Sequence, residues 1–95
     1  MNIHDARSIA AAHIGEGIRR AQGFIPIILD VSTMELPWGW VFFYDSQEYI
    51  NTRNIIHALA GNAPIVVDRN GNVYETGSSR PLAQYLVELE ARTKT

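Results

Sequence analysis

The first twenty-two residues repeat small or apolar side chains at spacings of three and four, which is the pattern of a helix with one buried side. The pattern is carried by Ala6, Ile9, Ala10, His13, Ile14, Ile18 and Ala21. It predicts a first helix over residues 4–22, with Asn2 as a capping side chain and Gly23 as a left-handed stop.

Two β-rich stretches follow this helix. Residues 25–34 are rich in β-branched side chains, which predicts a first strand, and Pro26 places that strand at a sheet edge or marks its start. Residues 38–44 are apolar on both faces, which is typical of a central strand covered on both sides. A break at residues 35–37 separates the two strands.

The second half of the chain predicts a hairpin and a helix. Asn70 and Gly71 lie between the β-rich runs 64–68 and 72–76, and Asn-Gly favours a two-residue type I′ turn. Gly77 ends the hairpin, and Ser78 or Ser79 supplies a cap for a second helix. The first turn of that helix contains Pro81, and its apolar face is formed by Leu82, Tyr85, Leu86 and Leu89.

Residues 45–62 contain turn-forming side chains, and the apolar residues Ile55, Ile56 and Leu59 predict one or two helical turns there. The predicted order is helix, two strands, irregular segment, two strands, helix. Strands without crossover helices pair antiparallel. We therefore expect an α+β fold, a small antiparallel β-sheet of about four strands with an N-terminal and a C-terminal helix packed on one face. The 95 residues form one domain over 1–95.

The composition excludes several classes of function. Eight basic and ten acidic residues give a net charge of −2, so nucleic acid is not an expected partner. The chain has no cysteine, which excludes thiolate nucleophiles, disulfides and zinc sites built on thiolates. No window approaches the ~20 apolar residues of a membrane span, and the N-terminus has no signal-peptide pattern. We expect a cytoplasmic protein without membrane contact.

The titratable residues do not form a recognisable catalytic or metal-binding motif. His4, His13 and His57 never recur at the i, i+4 spacing of a metal site. His13 is best interpreted as a hydrogen-bonded histidine at the core boundary. Residues 68–72 resemble a calcium loop only weakly, and the hairpin explains them better. We therefore expect no cofactor, no metal and no enzymatic activity, and a small hydrolase is the weakest alternative.

The aromatic density around the second strand is the most unusual feature. One interpretation is that the rings fill the core, because aromatic residues dominate small cores. The other is a partner-binding patch on a sheet face that the helices leave open, rimmed by carboxylates such as Asp30 and Glu35. The predicted anchors of this patch are Trp38, Trp40, Tyr44, Asp45, Glu48 and Tyr49.

Two blocks of the sequence resemble the immunity protein 35 family of YrhB-like proteins. One block is the aromatic run 38–44; the other extends from Leu59 to Glu90 and includes Gly71, Gly77 and the Pro81-Leu82 pair. The resemblance implies a bacterial protein that binds and neutralises a cognate toxin of a polymorphic toxin system by occlusion, without catalysis. It also implies an alternative, a chaperone of the holdase type that binds unfolded clients. Homodimerisation is left open.

Overall fold

The computed structural model describes residues 1–21, 26–52, 63–77 and 80–93. Its helices are α1 (Ile3–Ala21), α2 (Gln47–Thr52) and α3 (Leu82–Thr93). Its strands are β1 (Pro26–Ile28), β2 (Met34–Leu36), β3 (Gly39–Phe42), β4 (Tyr44–Ser46), β5 (Ile65–Asp68) and β6 (Val73–Glu75). Four strands form an antiparallel sheet in the order β2-β3-β5-β6, and β1 pairs with β4. The α+β class and the terminal helices are confirmed.

Helix α1 forms where the apolar spacing predicts it. Ala6, Ala10 and Ile14 are buried at intervals of four, as expected for one stripe of a helix that packs against the sheet. The side-chain oxygen of Asn2 accepts a hydrogen bond of 2.9 Å from the backbone N–H of Asp5, which satisfies one of the unpaired donors of the first turn. The predicted cap is therefore confirmed, whereas Gly23 lies outside the described residues.

The prediction of one continuous strand over residues 25–34 is wrong. Strands β1 and β2 pair with β4 and β3, the two halves of one neighbouring segment. Five residues separate β1 from β2, but only Phe43 separates β3 from β4. The additional residues between β1 and β2 have no partners on the β3–β4 segment. They therefore leave the strand pairing, and a 3₁₀ turn forms over Asp30–Ser32. The turn is closed by a backbone hydrogen bond of 3.2 Å from Thr33 to Asp30.

Strand β3 is central in the four-stranded sheet, as its apolar pattern predicts. All four of its residues are buried, and it pairs with β2 on one side and β5 on the other. The close pairing of β3 with β5 requires a glycine at position 39. A Cβ at this position would overlap the carbonyl oxygen of Val67 and approach Cα of Asp68 to 2.9 Å. Any side chain at Gly39 would push β3 away from β5.

Strands β5 and β6 form the predicted hairpin, but the turn differs from the type I′ prediction. Asp68 and Asn72 are joined by a 3.0 Å backbone hydrogen bond, which leaves three residues in the loop. The N–H of Gly71 donates to the carbonyl of Asp68 at 3.1 Å, and Gly71 has a φ of 86°. A three-residue loop of this kind requires one left-handed residue after the turn, and glycine supplies it.

The two long helices lie on opposite faces of the sheet, so the prediction that both pack on one face is wrong. Neighbouring residues of a strand point to opposite faces, and β3 and β5 are apolar on both. Helix α1 covers one cluster, formed by Ala6, Ala10, Ile14, Ile28, Trp40, Phe42, Ile65 and Val67. Helix α3 covers the other, formed by Val41, Val66 and Leu89 with Leu36, Trp38, Phe43, Tyr74, Leu82 and Leu86 against it.

The segment after β3 contains more regular structure than its turn-forming residues predict. Strand β4 and helix α2 occupy residues 44–52, although turns were expected from residue 45 onward. The predicted helical turns around Ile55, Ile56 and Leu59 lie outside the described residues, as do Ser78 and Ser79. The predicted C-terminal helix is confirmed, but α3 begins at Leu82, so Pro81 lies directly before the helix and not in its first turn.

Candidate partner-binding surface

The predicted anchor residues do not form one surface. Trp38 packs against the cluster under α3, whereas Tyr44 packs against the cluster under α1. The two aromatic side chains therefore lie on opposite faces of the sheet. Glu48 and Tyr49 belong to α2, but their side chains lie outside what the structure describes. The expected combination of Trp38 with Tyr44 in a single patch is wrong, because both sheet faces are already covered by helices.

Trp40 belongs to the core and is no surface anchor. Only 1% of its surface is exposed, and its ring packs with side chains of α1 and β5. The guanidinium of Arg69 lies 4.3 Å from the ring centroid, a distance typical of a cation–π contact. Burial of Trp40 supports the core-filling interpretation for this residue and removes it from the set of candidate contacts.

Tyr44 and Asp45 are half-buried near the start of β4. Burial, and then the nearby carboxylates of Glu75 and Asp45, raise the pKa of the Tyr44 hydroxyl. The phenol therefore stays neutral at physiological pH. Asp45, the middle residue of β4, lies opposite Ile27 in the β1–β4 pair.

Two of the acidic residues predicted to rim the patch, Asp30 and Glu35, are engaged in ion pairs. Asp30 accepts two hydrogen bonds from the guanidinium of Arg7, at 2.7 and 3.2 Å. This hydrogen bonding outweighs desolvation and lowers the pKa of Asp30. Glu35 accepts a hydrogen bond of 3.3 Å from Arg69. Both carboxylates are therefore partly neutralised by guanidinium groups.

A different site emerges where the β2–β3 turn meets the β5–β6 turn. Arg69 joins the two turns, because its backbone N–H donates to the carbonyl of Trp38 at 3.1 Å. Its guanidinium donates to the carbonyl oxygens of Leu36 and Pro37, at 2.9 and 3.3 Å. These bonds fix the end of the sheet at which Trp38 lies and make the two turns one rigid unit.

The carboxylate of Asp68 holds the β5–β6 turn in shape by accepting hydrogen bonds from it. Its Oδ1 accepts hydrogen bonds of 2.9 Å from the backbone N–H groups of Asn70 and Asn72. Its Oδ2 accepts 3.0 Å bonds from the Asn72 side-chain amide and the Tyr74 hydroxyl. Burial alone would raise the pKa of Asp68, but these bonds together outweigh it and lower the pKa. The buried carboxylate therefore stays ionised and holds the turn in shape.

A cleft of about 330 Å³ opens between these turns and the end of α3. We call it the turn cleft. Its lining consists of Trp38, Asp68, Arg69, Asn70, Asn72, Tyr74, Arg92 and Thr93. The mixture of aromatic, guanidinium and amide groups is typical of protein–protein contact residues. Of the predicted anchors whose side chains the structure describes, Trp38 alone lines this cleft.

Sequence reasoning missed most of this site. Asp68, Asn70 and Asn72 were interpreted only as parts of a hairpin, although short polar side chains at offsets of two and four are a sign of a side-chain-stabilised turn. Tyr74 and Arg92 come from β6 and α3. No spacing in the sequence brings them together, because their proximity depends on α3 crossing the second face of the sheet.

Other candidate chemistry has structural explanations. His13 lies at the core boundary and forms a 2.8 Å hydrogen bond with Glu75, as predicted. Within the four described ranges, no three histidine, aspartate or glutamate residues cluster in a way that could hold a metal ion. Likewise, the helices described here are too short or too polar to cross a bilayer.

Gly77 is one of the residues on which the family resemblance rests, and it has a steric role. A Cβ at Gly77 would lie 2.5 Å from the hydroxyl oxygen of Tyr85. The ring of Tyr85 also stacks with Arg80, whose guanidinium lies 4.3 Å from the ring centroid and pairs with Glu88. Gly77 thus leaves room for Tyr85 at the start of α3.

Comparison with known proteins identifies the family. A family model described as immunity protein 35 matches residues 4–88. The chain is also 34% identical over 58 residues to the uncharacterized protein YrhB of Escherichia coli strain K12. That alignment covers 60% of this chain and 62% of YrhB, so it spans less than two thirds of the relative. No solved structure matches the chain. The family match extends over most of the sequence, and the chain belongs to the immunity protein 35 family.

Proposed function

We propose that this protein neutralises a cognate protein toxin of a polymorphic toxin system by binding it and covering its active site, without catalysing a reaction itself. The observation that carries the proposal is the family match over residues 4–88. The name of the family describes immunity, and immunity proteins protect a cell by contact with a toxin. A bacterial cytoplasmic location, where such a toxin would act, is part of the proposal.

The geometry of the turn cleft supports a binding role. Stable inhibitory complexes bury roughly 800 Å² on each partner around a few well-packed aromatic or arginine anchors. Trp38 and Arg92 are residues of these types, and they lie beside turns that Arg69 and Asp68 already hold in place. A surface that is ordered before binding loses little conformational entropy in the complex. We therefore place the centre of the proposed contact at the turn cleft.

In this proposal, the other predicted anchors contribute less to toxin binding than Trp38 does. Tyr44 packs on the opposite side of the sheet from Trp38, so it would contact a toxin only if the toxin wrapped around the sheet end. Asp45 follows it on β4 and remains a prediction. Glu48 and Tyr49 remain predictions on α2. Single alanine substitutions at these four positions should change toxin affinity less than Trp38→Ala does.

The proposal is tested by expressing the domains encoded next to the gene of this protein and selecting one that is toxic in its absence as the candidate toxin domain. Cells expressing that domain should survive when this protein is co-expressed, and a catalytically inactive form of the domain should co-purify with it. Light scattering of the purified complex gives its stoichiometry and shows whether a homodimer takes part. If the wild-type protein neither protects cells nor binds the domain, the proposed function is wrong.

One observation favours the alternative function of a holdase. Val31, at the apex of the 3₁₀ turn, is fully exposed, and the nearby strand residues Ile27 and Met34 are 37% and 40% exposed. Exposed apolar side chains of this kind can contact unfolded clients. Suppression of citrate synthase and luciferase aggregation by the wild-type protein, lost in Val31→Ser/Met34→Ser, would support this alternative over immunity.

A further inference from the structure

We propose that Asn70 is a site of spontaneous deamidation, a modification that disrupts the turn between β5 and β6. Asn70 is the middle residue of the three-residue loop, is exposed, and lines the turn cleft. Gly71 follows it directly, and no other asparagine of the chain precedes a glycine. The chemistry involves this chain and water alone, so the inference goes beyond the proposed function and does not rest on it.

Deamidation at this position needs no enzyme and no cofactor. The backbone nitrogen of Gly71 attacks the side-chain carbonyl carbon of Asn70, and its proton passes through solvent to the side-chain nitrogen, which leaves as ammonia. The product is a five-membered succinimide ring. Water then adds across one of the two bonds between the ring nitrogen and a carbonyl carbon, which gives either aspartate or isoaspartate. Both products carry one carboxylate in place of the neutral amide.

The glycine after Asn70 favours the attack, because glycine has no side chain that hinders the approach of its nitrogen and adopts conformations closed to other residues. Gly71 has a φ of 86°. Asn72, in the same turn, provides a comparison. Its side-chain amide donates to Oδ2 of Asp68 at 3.0 Å, and the next residue, Val73, is β-branched and therefore restricted. The structure thus favours reaction at Asn70 over Asn72.

A backbone hydrogen bond limits the rate of the reaction. The N–H of Gly71 donates to the carbonyl of Asp68 at 3.1 Å, so the nitrogen that must attack is engaged while the turn is closed. The carboxylate of Asp68 also holds the turn closed, because its Oδ1 accepts hydrogen bonds from the N–H groups of Asn70 and Asn72. Attack therefore requires a local opening of the loop. We expect a slow reaction in the native protein and a faster one in variants that loosen the turn.

The two products should affect the turn to different degrees. Isoaspartate adds one methylene carbon to the main chain before Gly71, although the backbone hydrogen bond between Asp68 and Asn72 fixes the span of this loop at three residues. The longer chain cannot keep the Gly71 N–H bonded to the Asp68 carbonyl in the same geometry. Aspartate adds only a charge, at an exposed position near the carboxylate of Asp68. Isoaspartate at position 70 should therefore destabilise the hairpin and change the shape of the turn cleft.

Storage of the wild-type protein at physiological temperature and mildly alkaline pH tests the proposal. Peptide mapping by mass spectrometry, with digestion at acidic pH to prevent further reaction, locates each amide that has become an acid. Protein isoaspartate methyltransferase with labelled S-adenosylmethionine measures the isoaspartate formed. Conversion at Asn70 should be at least about tenfold faster than at Asn72, and the products should include isoaspartate. No conversion at Asn70, or equal rates at the two asparagines, would overturn the proposal.

Two variants establish whether opening of the turn controls the rate. Tyr74→Phe removes one hydrogen bond to Asp68 and should accelerate conversion of Asn70 by about threefold to tenfold, because the turn opens more often. Ile14→Val is the matched control, because Ile14 packs between α1 and β1 and loss of one methyl group there destabilises the core away from the turn. The rate in Ile14→Val should stay within about twofold of wild type. No acceleration in Tyr74→Phe, or equal acceleration in both variants, would overturn the control by the turn.

Stored protein also tests the effect of the modification on the turn. Wild type in which most of Asn70 has reacted should unfold at a lower temperature than fresh protein. Asn70→Gln stored in parallel should not change, because the longer glutamine side chain forms the corresponding ring far more slowly. An unchanged unfolding temperature of the reacted protein would overturn the predicted disruption of the turn. None of these measurements involves a toxin, so their outcome is independent of the proposed function.

Discussion

The hydroxyl of Tyr74 donates a 3.0 Å hydrogen bond to the Oδ2 atom of Asp68. The two residues lie on paired strands, six positions apart in sequence, and the bond links the side of β6 to the base of the hairpin turn. This hydrogen bond is the main reason why the pKa of the Tyr74 hydroxyl is raised. An ionised Tyr74 could no longer donate the bond, and its negative charge would be repelled by the Asp68 carboxylate. This contact therefore connects the buried carboxylate of Asp68 to Tyr74, which forms part of the wall of the turn cleft.

Removing the charge of Asp68 should destabilise the protein strongly. Asp68→Asn places an amide against donors that now bind a carboxylate, and we expect a loss of about 2–3 kcal/mol in the free energy of unfolding. Tyr74→Phe removes one donor and should cost about 1.5 kcal/mol. Urea unfolding at pH 7 measures both. Asp68→Asn with wild-type stability would show that the carboxylate does not organise the turn.

The lowered pKa of Asp68 predicts the pH dependence of this effect. A group whose folded pKa lies below its unfolded value contributes stability that is fully present above the unfolded pKa and is lost as the pH falls through the folded pKa. The stability difference between wild type and Asp68→Asn should therefore stay constant from about pH 7 to 5 and shrink below about pH 4. A difference that grows on acidification would contradict the assignment.

Two glycines should respond in opposite directions to the same substitution. At Gly39 a methyl group would overlap the backbone of β5, and Gly39→Ala should lower stability by about 3 kcal/mol or more because neither strand can move away. At Gly15, within α1, nothing lies within 4 Å of the added carbon. Gly15→Ala should raise stability by about 0.5–1 kcal/mol. Thermal unfolding of both variants checks the contrast.

The ion pair between Arg7 and Asp30 should contribute little energy in spite of its good geometry. The side chains are 43% and 64% exposed, so solvent screens the attraction. A double-mutant cycle with Arg7→Ala and Asp30→Ala should give a coupling free energy of about 0.2–1 kcal/mol. A coupling above about 2 kcal/mol would mean that the pair, and not the strand register, holds the 3₁₀ turn in place.

Local patterns in the sequence predicted a helix or strand well where the residues of that element alone indicate its structure. The stripe of Ala6, Ala10 and Ile14 predicted α1, and Asn70-Gly71 predicted the hairpin. The break at Asp30–Ser32 was not predictable, because it arises from a difference in residue number between paired segments, which only the register reveals. The type of the hairpin turn depends in the same way on where the ladder ends.

The candidate site was predicted poorly for a physical reason. Trp38 and Trp40 are two positions apart, so the alternation of a strand suggests a common face, yet Trp38 lies in the turn before β3 and packs under α3. Trp40 lies under α1. The prediction that one face is open assumed that both helices pack together, and hydrophobic periodicity within a helix does not indicate which side of a sheet it covers.

The packing of α3 against the second face of the sheet leads to a final prediction, and an exposed residue of the same helix serves as its control. Leu89 is 6% exposed and packs with Val41 and Val66, whereas Val87, two positions earlier in the same helix, is 67% exposed. Leu89→Ala should lower the free energy of unfolding by about 2–4 kcal/mol, because it leaves a cavity between helix and sheet. Val87→Ala should stay within about 0.5 kcal/mol of wild type. Chemical denaturation measures both; equal effects would contradict the packing of α3 against Val41 and Val66, and with it the wall that holds Trp38 at the turn cleft.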